Sequence, residues 1–449
     1  MGRKYFGTDG VRGHVGQHPL TVDFALRLAS AAARVLAPEG GTVFIGKDTR
    51  LSGYMFESAL EAGFVAAGVD VQLLGPLPTP GIAYLTARAA AGAAGGSSFG
   101  VVISASHNHY EDNGIKFFDA TGGKLSDELE AQIEDELDRG VITQHSNRLG
   151  KARRADALRE DYQQFVASTV PAGFDLRGMK IVIDCAHGAG YKVGPRLLAS
   201  LGAEIIPIGC SPNGRNINDG CGSTEPGLLQ LTVPGVQASV GVALDGDGDR
   251  LVMVDGLGRI VDGDQLLYII ATARHAAGLL PGPVVGTLMS NLGLELALKE
   301  RGIGFCRAKV GDRYVLAMLK ETGGVIGGET SGHILCLDRT TTGDALVAAL
   351  QVLQVMRDTG KPLAELAAGM VKFPQVLINV RVAERFDPMK HPDVADVVEA
   401  IERHLGAEGR VVLRASGTEP VIRVMVEGRD DTDVRACAEH IAAAVASAV

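Results

Sequence analysis

A serine-containing turn offers the first residues that could do chemistry. Ser104 and Ser106 follow the apolar run 99–103, which predicts a strand that ends just before them. A strand that runs into such a loop exposes a hydroxyl at the carboxyl end of a sheet, although the same residue types also cap helices. Lys116 follows a few residues later, and its ammonium group could neutralise phosphate, move a proton or simply be solvated.

Three carboxylates alternate with glycine after the predicted strand 239–244, and they are Asp245, Asp247 and Asp249. Oxygen ligands at this spacing suit Mg²⁺ or Ca²⁺, and the glycines allow a tight fold. A calcium-binding EF-hand loop would place Gly at its sixth position and Glu at its twelfth, but Arg250 and Gly256 stand there. Three protein carboxylates leave positions open around Mg²⁺ for a phosphate oxygen. The alternative is a solvated acidic turn, which leaves the repulsion between the carboxylates uncompensated.

The loop that contains Glu329 and Ser331 lies in a glycine-rich stretch, 327–333. Its carboxylate could accept hydrogen bonds from sugar hydroxyls, and its hydroxyl could also donate them. This pattern alone is common in loops, so it predicts a sugar contact only in combination with the other motifs.

A last loop joins two predicted strands near the carboxyl terminus. It combines two guanidinium groups, Arg414 and Arg423, with the hydroxyls and backbone amide of 416–418. This set of donors suits a phosphate, which accepts several hydrogen bonds and carries negative charge. The alternative is a hairpin loop with two surface arginines.

The elements that must position these motifs follow a repeated order. A helical run ends at Gly68, again at Gly202 and again at Gly302, and each time an alternating, strand-like run follows. A compact apolar strand candidate precedes each helical run, so each copy has the order strand, loop, helix, strand. The repeat predicts three α/β domains.

The tail of the chain departs from this repeat. It alternates over 376–382, is helical over 394–405, has strand patterns at 410–414 and 421–427, and ends in a helix over 433–445. We therefore expect an α/β protein with three similar mixed α/β domains and a smaller C-terminal α+β domain. The predicted domains are 1–155, 156–257, 258–370 and 371–449.

Composition narrows the function class. The net charge of −10 disfavours a nucleic-acid-binding surface, which would need clustered Lys and Arg. The six Cys residues show no C-x-x-C pair, which favours a reducing, cytoplasmic location. The longest apolar runs fall short of the roughly 20 residues of a membrane span. We expect no nucleic-acid or membrane partner, and a homo-oligomer stays compatible with the sequence.

Five motifs, in this order, resemble those of the α-D-phosphohexomutase superfamily, and the resemblance spans essentially the whole chain. The motifs are 5–13, 104–108, 245–250, 328–333 and 414–423. Four further segments are similar to the bacterial branch that acts on glucosamine phosphates, and these are 113–118, 216–224, 309–314 and 422–428.

The resemblance implies four domains around a central cleft, with one motif from each domain. It selects Ser106 rather than Ser104 as the phosphorylated residue. The implied catalytic residues are Ser106, Lys116, Arg12, Arg250 and His107. The implied ligands of one Mg²⁺ are Ser106, Asp245, Asp247 and Asp249. The implied substrate-binding residues are Glu329, Ser331, Arg414, Ser416, Gly417, Thr418 and Arg423.

The resemblance also implies the reaction. A small phosphosugar would take the phosphoryl group from Ser106, which requires an activating phosphorylation, and a 1,6-bisphosphate intermediate would return its other phosphate. Glucosamine 6-phosphate and glucosamine 1-phosphate would interconvert, and the product would feed UDP-N-acetylglucosamine synthesis in the cytoplasm.

Three other interpretations stay open at this point. A mutase for neutral hexose phosphates would use the same machinery and differ in the sugar loop. A sugar-phosphate sensor would bind without reacting, and it would be expected to lack Ser106 or one of the aspartates. A serine-dependent phosphatase would release inorganic phosphate steadily.

Overall fold

Four β-sheets follow one another along the chain. The computed structural model describes residues 4–7, 9–92, 97–383, 386–415 and 420–448. Each sheet is formed by consecutive segments of the sequence, which confirms the expected α/β class with three mixed domains and a smaller last one.

The first sheet has six strands in the order β1-β5-β4-β2-β3-β6. Strands β4, β2, β3 and β6 are parallel, whereas β5 and β1 continue the sheet in antiparallel fashion. The elements of this part are β1 (Val11–His14), α1 (Val22–Leu36), β2 (Gly41–Lys47), α2 (Ser52–Ala67), β3 (Val69–Pro76), α3 (Thr79–Gly92), β4 (Ser97–Ile103), β5 (Asp112–Phe118), α4 (Asp127–Glu136), two 3₁₀ turns (Leu137–Arg139 and Ser146–Arg148) and β6 (Ala152–Arg154).

The second sheet has five strands in the order β11-β10-β9-β7-β8, with β9, β7 and β8 parallel. Its central strand β9 is buried throughout, as expected for an apolar strand covered on both faces. The elements are α5 (Leu158–Ser168), β7 (Lys180–Asp184), a 3₁₀ turn (Ala189–Tyr191), α6 (Val193–Ser200), β8 (Glu204–Ile208), α7 (Gly227–Gly235), β9 (Val240–Leu244), β10 (Leu251–Asp255) and β11 (Ile260–Val261).

The third sheet has four strands in the order β13-β12-β14-β15, of which only β15 is antiparallel to its neighbour. The elements are α8 (Gly263–Ala276), β12 (Val284–Thr287), α9 (Leu292–Glu300), β13 (Phe305–Ala308), α10 (Asp312–Thr322), β14 (Ile326–Gly328), β15 (Ile334–Cys336), α11 (Ala345–Thr359) and α12 (Leu363–Ala367).

The fourth sheet is antiparallel, in the order β16-β18-β17. Along β16 exposed and half-buried residues alternate, because one face packs on helices and the other meets solvent. The elements are β16 (Gln375–Arg381), a 3₁₀ turn (Pro388–Lys390), α13 (Pro392–Leu405), a second 3₁₀ turn (Gly406–Glu408), β17 (Gly409–Ala415), β18 (Val421–Gly428) and α14 (Asp431–Ser447).

The predicted repeat is present in the first three sheets. In each copy, a helix ends near a glycine with positive φ, and the strands on either side of that helix pair in parallel. The glycines are Gly68, Gly202 and Gly302, with φ of 92°, 92° and 72°. The domain boundaries stay predictions, and β11 extends the second sheet beyond the predicted boundary at residue 257.

One hydrophobic core joins the first three sheets. It includes Phe44 from the first, Ile183 from the second and Leu346 from helix α11 of the third. The last domain packs around its own core, which includes Val398 and Val424. Burial of apolar side chains in this shared core packs the first three domains against one another. No helix in the described part of the chain is long and apolar enough to cross a membrane.

Candidate active site

Three of the motifs predicted to carry chemistry lie where a strand turns back into an antiparallel neighbour. The serine motif joins β4 to β5, the aspartate motif joins β9 to β10, and the Glu329 loop joins β14 to β15. In each of these three sheets the first strand also pairs in parallel on its other side. The strand that precedes each motif therefore has one parallel and one antiparallel neighbour. At the carboxyl end of such a strand the loop can face a ligand.

Ser106 and Asp245 meet across the first two domains. The Ser106 hydroxyl donates a hydrogen bond to Oδ2 of Asp245 at 2.6 Å, and both side chains are buried. The other oxygen of Asp245 accepts hydrogen bonds from the backbone amides of Asp249 and Arg250, each at 3.1 Å. The aspartate loop therefore orients its own first carboxylate toward the serine. Ser104 instead accepts a hydrogen bond from the Ser106 amide through its hydroxyl oxygen, at 2.9 Å.

The three aspartates form a buried cluster that fits a divalent cation. One oxygen of each lies within 4.8 Å of the others. One oxygen of Asp247 and one of Asp249 are buried without a hydrogen-bond partner. Burial, together with the charges of Asp249 and Asp247, raises the pKa of Asp245 well above its ordinary value. A hard cation would satisfy these oxygens and remove the repulsion.

Lys116 is paired with two carboxylates of this site. It extends from β5, and its Nζ is 2.8 Å from Oδ2 of Asp247 and 2.8 Å from Oδ2 of Asp9. Burial would lower the pKa of Lys116, but Asp247 and Asp9 raise it above the ordinary value. Thr79, at the start of α3, also donates a hydrogen bond to Asp247 at 2.8 Å. Lys116 is therefore held as an ammonium ion.

Lys116 is one member of a closed ring of alternating charges that links three domains. In order around the ring, the members are Lys116, Asp9, Lys124, Asp312, His333 and Asp249. Burial would lower the pKa of His333, but Asp249 and Asp312 raise it to about 9, so the imidazole is protonated at neutral pH. Each charge in the ring has opposite charges on both sides, which compensates its removal from water.

His107 is half-buried and neutral at pH 7. Burial, together with the charges of Arg250 and Arg12, lowers its pKa to about 4. Arg12 extends from β1 and pairs with Asp9. The structure thus brings these two arginines close to His107 in the serine loop.

Glu329 is held by a backbone amide of its own domain. Its Oε1 accepts a hydrogen bond from the backbone amide of Gly311 at 3.0 Å. The loop pairs with the aspartate motif, because Arg250 and His333 form an antiparallel bridge and the Leu251 amide donates to Gly332 O at 2.9 Å. Ser331 is exposed between these anchored residues.

Arg414 and Arg423 face each other in the last sheet. They are direct partners in the β17–β18 register, and both are half-buried. Burial and the charge of Arg423 lower the pKa of Arg414. The predicted phosphate ligands Ser416, Gly417 and Thr418 lie outside the described residues.

Several residues that shape this site were not singled out from the sequence. They are Asp9, Thr79, Lys124, Asp312 and His333. Asp9, Asp312 and His333 belong to segments that carried the resemblance, so a signal for them is present in the sequence. Lys124 and Thr79 are ordinary polar residues in the sequence, and only the fold brings them here.

All four domains of the chain match a known protein family. Profiles of the phosphoglucomutase/phosphomannomutase family match the chain domain by domain: α/β/α domain I over residues 3–141, domain II over 160–258, domain III over 262–373 and the C-terminal domain over 377–444. The chain belongs to the phosphoglucomutase/phosphomannomutase family.

Its curated relatives within the phosphoglucomutase/phosphomannomutase family match over their full length. The phosphoglucosamine mutase of Aeromonas hydrophila is 58% identical over 449 residues, which is 100% of both chains. That of Methylococcus capsulatus is 57% identical and covers 100% of this chain and 99% of its own.

Solved structures support the same fold. A phosphoglucomutase/phosphomannomutase family protein from Burkholderia thailandensis superposes with a TM-score of 0.81 at 24% identity, covering 100% of this chain and 98% of its own. The Aspergillus fumigatus N-acetylphosphoglucosamine mutase, solved with GlcNAc-6P and magnesium, superposes with a TM-score of 0.71 at 20% identity, covering 99% and 96%.

Proposed function

We propose that this chain is a phosphoglucosamine mutase, which interconverts glucosamine 6-phosphate and glucosamine 1-phosphate through a phosphorylated Ser106. The contact between Ser106 Oγ and Asp245, 2.6 Å long and inside a cluster of three aspartates, carries this proposal. It supports this role of the hydroxyl, because a cation held by the three aspartates would lie beside the phosphoryl group. Full-length identity of 58% to a phosphoglucosamine mutase supports the choice of substrate.

A phosphoserine needs positive charge around it, because it carries about −1.5 to −2 at neutral pH. Mg²⁺ held by Ser106, Asp245, Asp247 and Asp249 would withdraw electrons from the phosphoryl group when bound. Arg250 and Arg12, which act on His107 electrostatically, would spread the charge of the group in transfer.

Lys116 would handle the proton of each half-reaction. When the phosphoryl group leaves Ser106, the P–Oγ bond breaks, a P–O bond to the sugar forms, the sugar hydroxyl loses its proton and Oγ gains one. The raised pKa of Lys116 means that it enters the reaction protonated. We therefore assign to it donation toward the leaving oxygen and recovery of the proton from the attacking hydroxyl.

The last domain would hold the phosphate that does not react. Arg414 and Arg423, with the 416–418 loop, would bind the distal phosphate, while Glu329 and Ser331 would contact the sugar hydroxyls. Glucosamine 1,6-bisphosphate would then turn over so that its other phosphate returns to Ser106. One anion site thus serves both half-reactions, and closure of the last domain would exclude water from the phosphoserine.

The proposal also covers the setting of the reaction. We place the enzyme in the cytoplasm, where its product would supply UDP-N-acetylglucosamine synthesis.

³¹P NMR of glucosamine 6-phosphate with Mg²⁺ and the phosphorylated protein tests the function. The wild type should form glucosamine 1-phosphate, and Ser106→Ala should not. Steady release of inorganic phosphate would identify a phosphatase instead. Absence of any change with glucosamine 6-phosphate, together with turnover of glucose or mannose phosphates, would identify a mutase for neutral hexoses.

Ser104→Ala is the matched control for the choice of serine. The Ser104 hydroxyl oxygen accepts a hydrogen bond from the Ser106 amide, whereas the hydroxyl that donates to Asp245 is that of Ser106. Mass spectrometry should find the phosphate on Ser106 in the wild type and in Ser104→Ala, and should find none in Ser106→Ala.

A further inference from the structure

The backbone of Ser106 lies in an unfavourable conformation. Its φ is +52°, in the left-handed region that residues with a Cβ seldom adopt. A residue in this region keeps its conformation only where neighbouring groups hold it, and such positions cluster at functional sites. Something in the protein must therefore fix the serine loop.

Two side chains hold the carbonyl groups of this loop. The Asn218 amide donates hydrogen bonds from Nδ2 to the carbonyl oxygens of Ser106 and Asn108, each at 2.9 Å. The guanidinium of Arg50 donates to the same two oxygens and is completely buried. Because both partners of the Asn218 amide are acceptors, its nitrogen must face them.

The two donors come from different domains. Arg50 follows β2 of the first domain and pairs with Asp48, whereas Asn218 lies between β8 and α7 in the second domain. The serine loop is therefore held by one donor from each of the two domains that meet at the Ser106–Asp245 contact.

Asn218 also contacts the aspartate loop. A Cβ added at Gly246 would lie 2.5 Å from the Ser106 carbonyl oxygen and 2.7 Å from Nδ2 of Asn218. Only glycine permits this approach, so the loop that carries Asp245 rests directly on the carbonyl and its donor. The position of the Ser106 backbone relative to the aspartates is set at this contact.

Asn218 combines a left-handed backbone with a side chain that is committed to the serine loop. Its own φ is +58°, in a region that Asn adopts more often than most residues with a Cβ. Its amide nitrogen donates to two carbonyl oxygens of the serine loop. An Asn at this position therefore supplies both the backbone conformation and the donor.

We propose that Asn218 is a positioning residue for phosphoryl transfer: its amide, with the Arg50 guanidinium, clamps the Ser106 and Asn108 carbonyls and aligns the serine oxygen with the aspartate cluster. The proposal rests on the proposed function of Ser106 as the phosphoryl carrier. Asn218 acts through the serine backbone, so its loss should slow transfer without weakening binding of the sugar phosphates.

Asn218→Gly and Asn218→Asp test the clamp. Glycine tolerates the positive φ and removes only the side chain, whereas Asp keeps the shape but replaces the donor by an oxygen that faces two carbonyls. We expect kcat to fall by about 10²-fold in both, because displacement of a reacting group by about 1 Å costs this much. KM for glucosamine 6-phosphate should stay within about twofold of the wild type.

Asn213→Asp is the matched control. It makes the same substitution in the same segment, but on an exposed side chain. The Asn213 Oδ1 accepts hydrogen bonds from the backbone amides of Arg215 and Asn216, and an Asp at this position keeps that acceptor. Kinetics are normalised to the fraction phosphorylated on Ser106, measured by mass spectrometry, and melting temperatures are recorded for each variant.

The outcomes separate the clamp from the function it rests on. A lower kcat per phosphorylated molecule at unchanged KM in Asn218→Asp, with Asn213→Asp normal, supports the clamp even if Asn218→Gly does not fold. A lower melting temperature with normal kcat per phosphorylated molecule overturns it and assigns Asn218 a structural role. If the wild type itself fails to isomerise glucosamine 6-phosphate while Ser106 is phosphorylated, the proposed function fails instead.

Discussion

Arg414 and Arg423 lie directly opposite each other on β17 and β18. Like charges at directly opposite positions of an antiparallel pair destabilise a sheet. The charge of Arg423 adds to burial in lowering the pKa of Arg414. A bound anion would favour both guanidinium charges, which is the physical reason to propose the distal phosphate here.

Arg423→Ala should raise KM for both glucosamine 6-phosphate and glucosamine 1-phosphate by about tenfold, since one charge-assisted hydrogen bond contributes about 1.5–3 kcal/mol. Steady-state kinetics in both directions measure this. Arg403→Ala, which removes an exposed arginine of the same domain, should change neither value. Unchanged kinetics in Arg423→Ala would remove the anchoring role.

The aspartate cluster leads to a prediction on metal dependence. Asp245→Asn should raise the Mg²⁺ concentration for half-maximal activity by at least about tenfold, because it removes a charged oxygen beside the serine. Titration of activity with Mg²⁺ measures the change, and Asp219→Asn, on an exposed side chain, is the control. Equal Mg²⁺ dependence in the two variants would contradict the assignment of the cluster as the metal site.

Sequence patterns predicted the elements that carry the chemistry. The apolar run before Ser104 is strand β4, and the run before Asp245 is strand β9. Both predictions rest on the apolar character of short runs, which is a local signal of a few residues. Because motifs at strand ends face one edge of a sheet, their general placement could be predicted as well.

The contacts between domains could not be predicted in this way. Lys124 and Asp312 are separated by 188 positions in the sequence, and each is an ordinary polar residue locally. Asn218 reaches the Ser106 carbonyl across 112 positions. Such pairs depend on how whole domains pack, and one sequence holds no periodic signal for that packing.

The charge ring leads to a prediction on stability. Lys124→Met should lower the free energy of unfolding by about 3 kcal/mol, because it leaves Asp9 and Asp312 buried without their shared cation. Urea denaturation measures this, with the exposed Lys320→Met as control. If Lys124→Met unfolds at the same urea concentration as the wild type, the ring does not hold the domains together.

Asp344 should make stability depend on pH. Its Oδ1 caps helix α11 at the amides of Leu346 and Val347, and its Oδ2 accepts a hydrogen bond from Tyr162 at 2.8 Å. Burial raises its pKa from 3.8 to about 6, against the opposing effect of these hydrogen bonds. Between these two pH values the folded state binds more protons than the unfolded state, so stability falls as pH rises.

Asp344→Asn tests this dependence. The amide keeps an acceptor for the helix amides, and the Tyr162 hydroxyl can accept from its nitrogen. Between pH 4 and 6 the free energy of unfolding of the wild type should fall by up to about 3 kcal/mol, which follows from 1.36 kcal/mol per pKa unit. In Asp344→Asn this fall should be absent. Urea denaturation at several pH values measures both curves, and Asp358→Asn, exposed at the other end of α11, should follow the wild type. Parallel curves for wild type and Asp344→Asn would show that this carboxyl titrates alike in the folded and unfolded states.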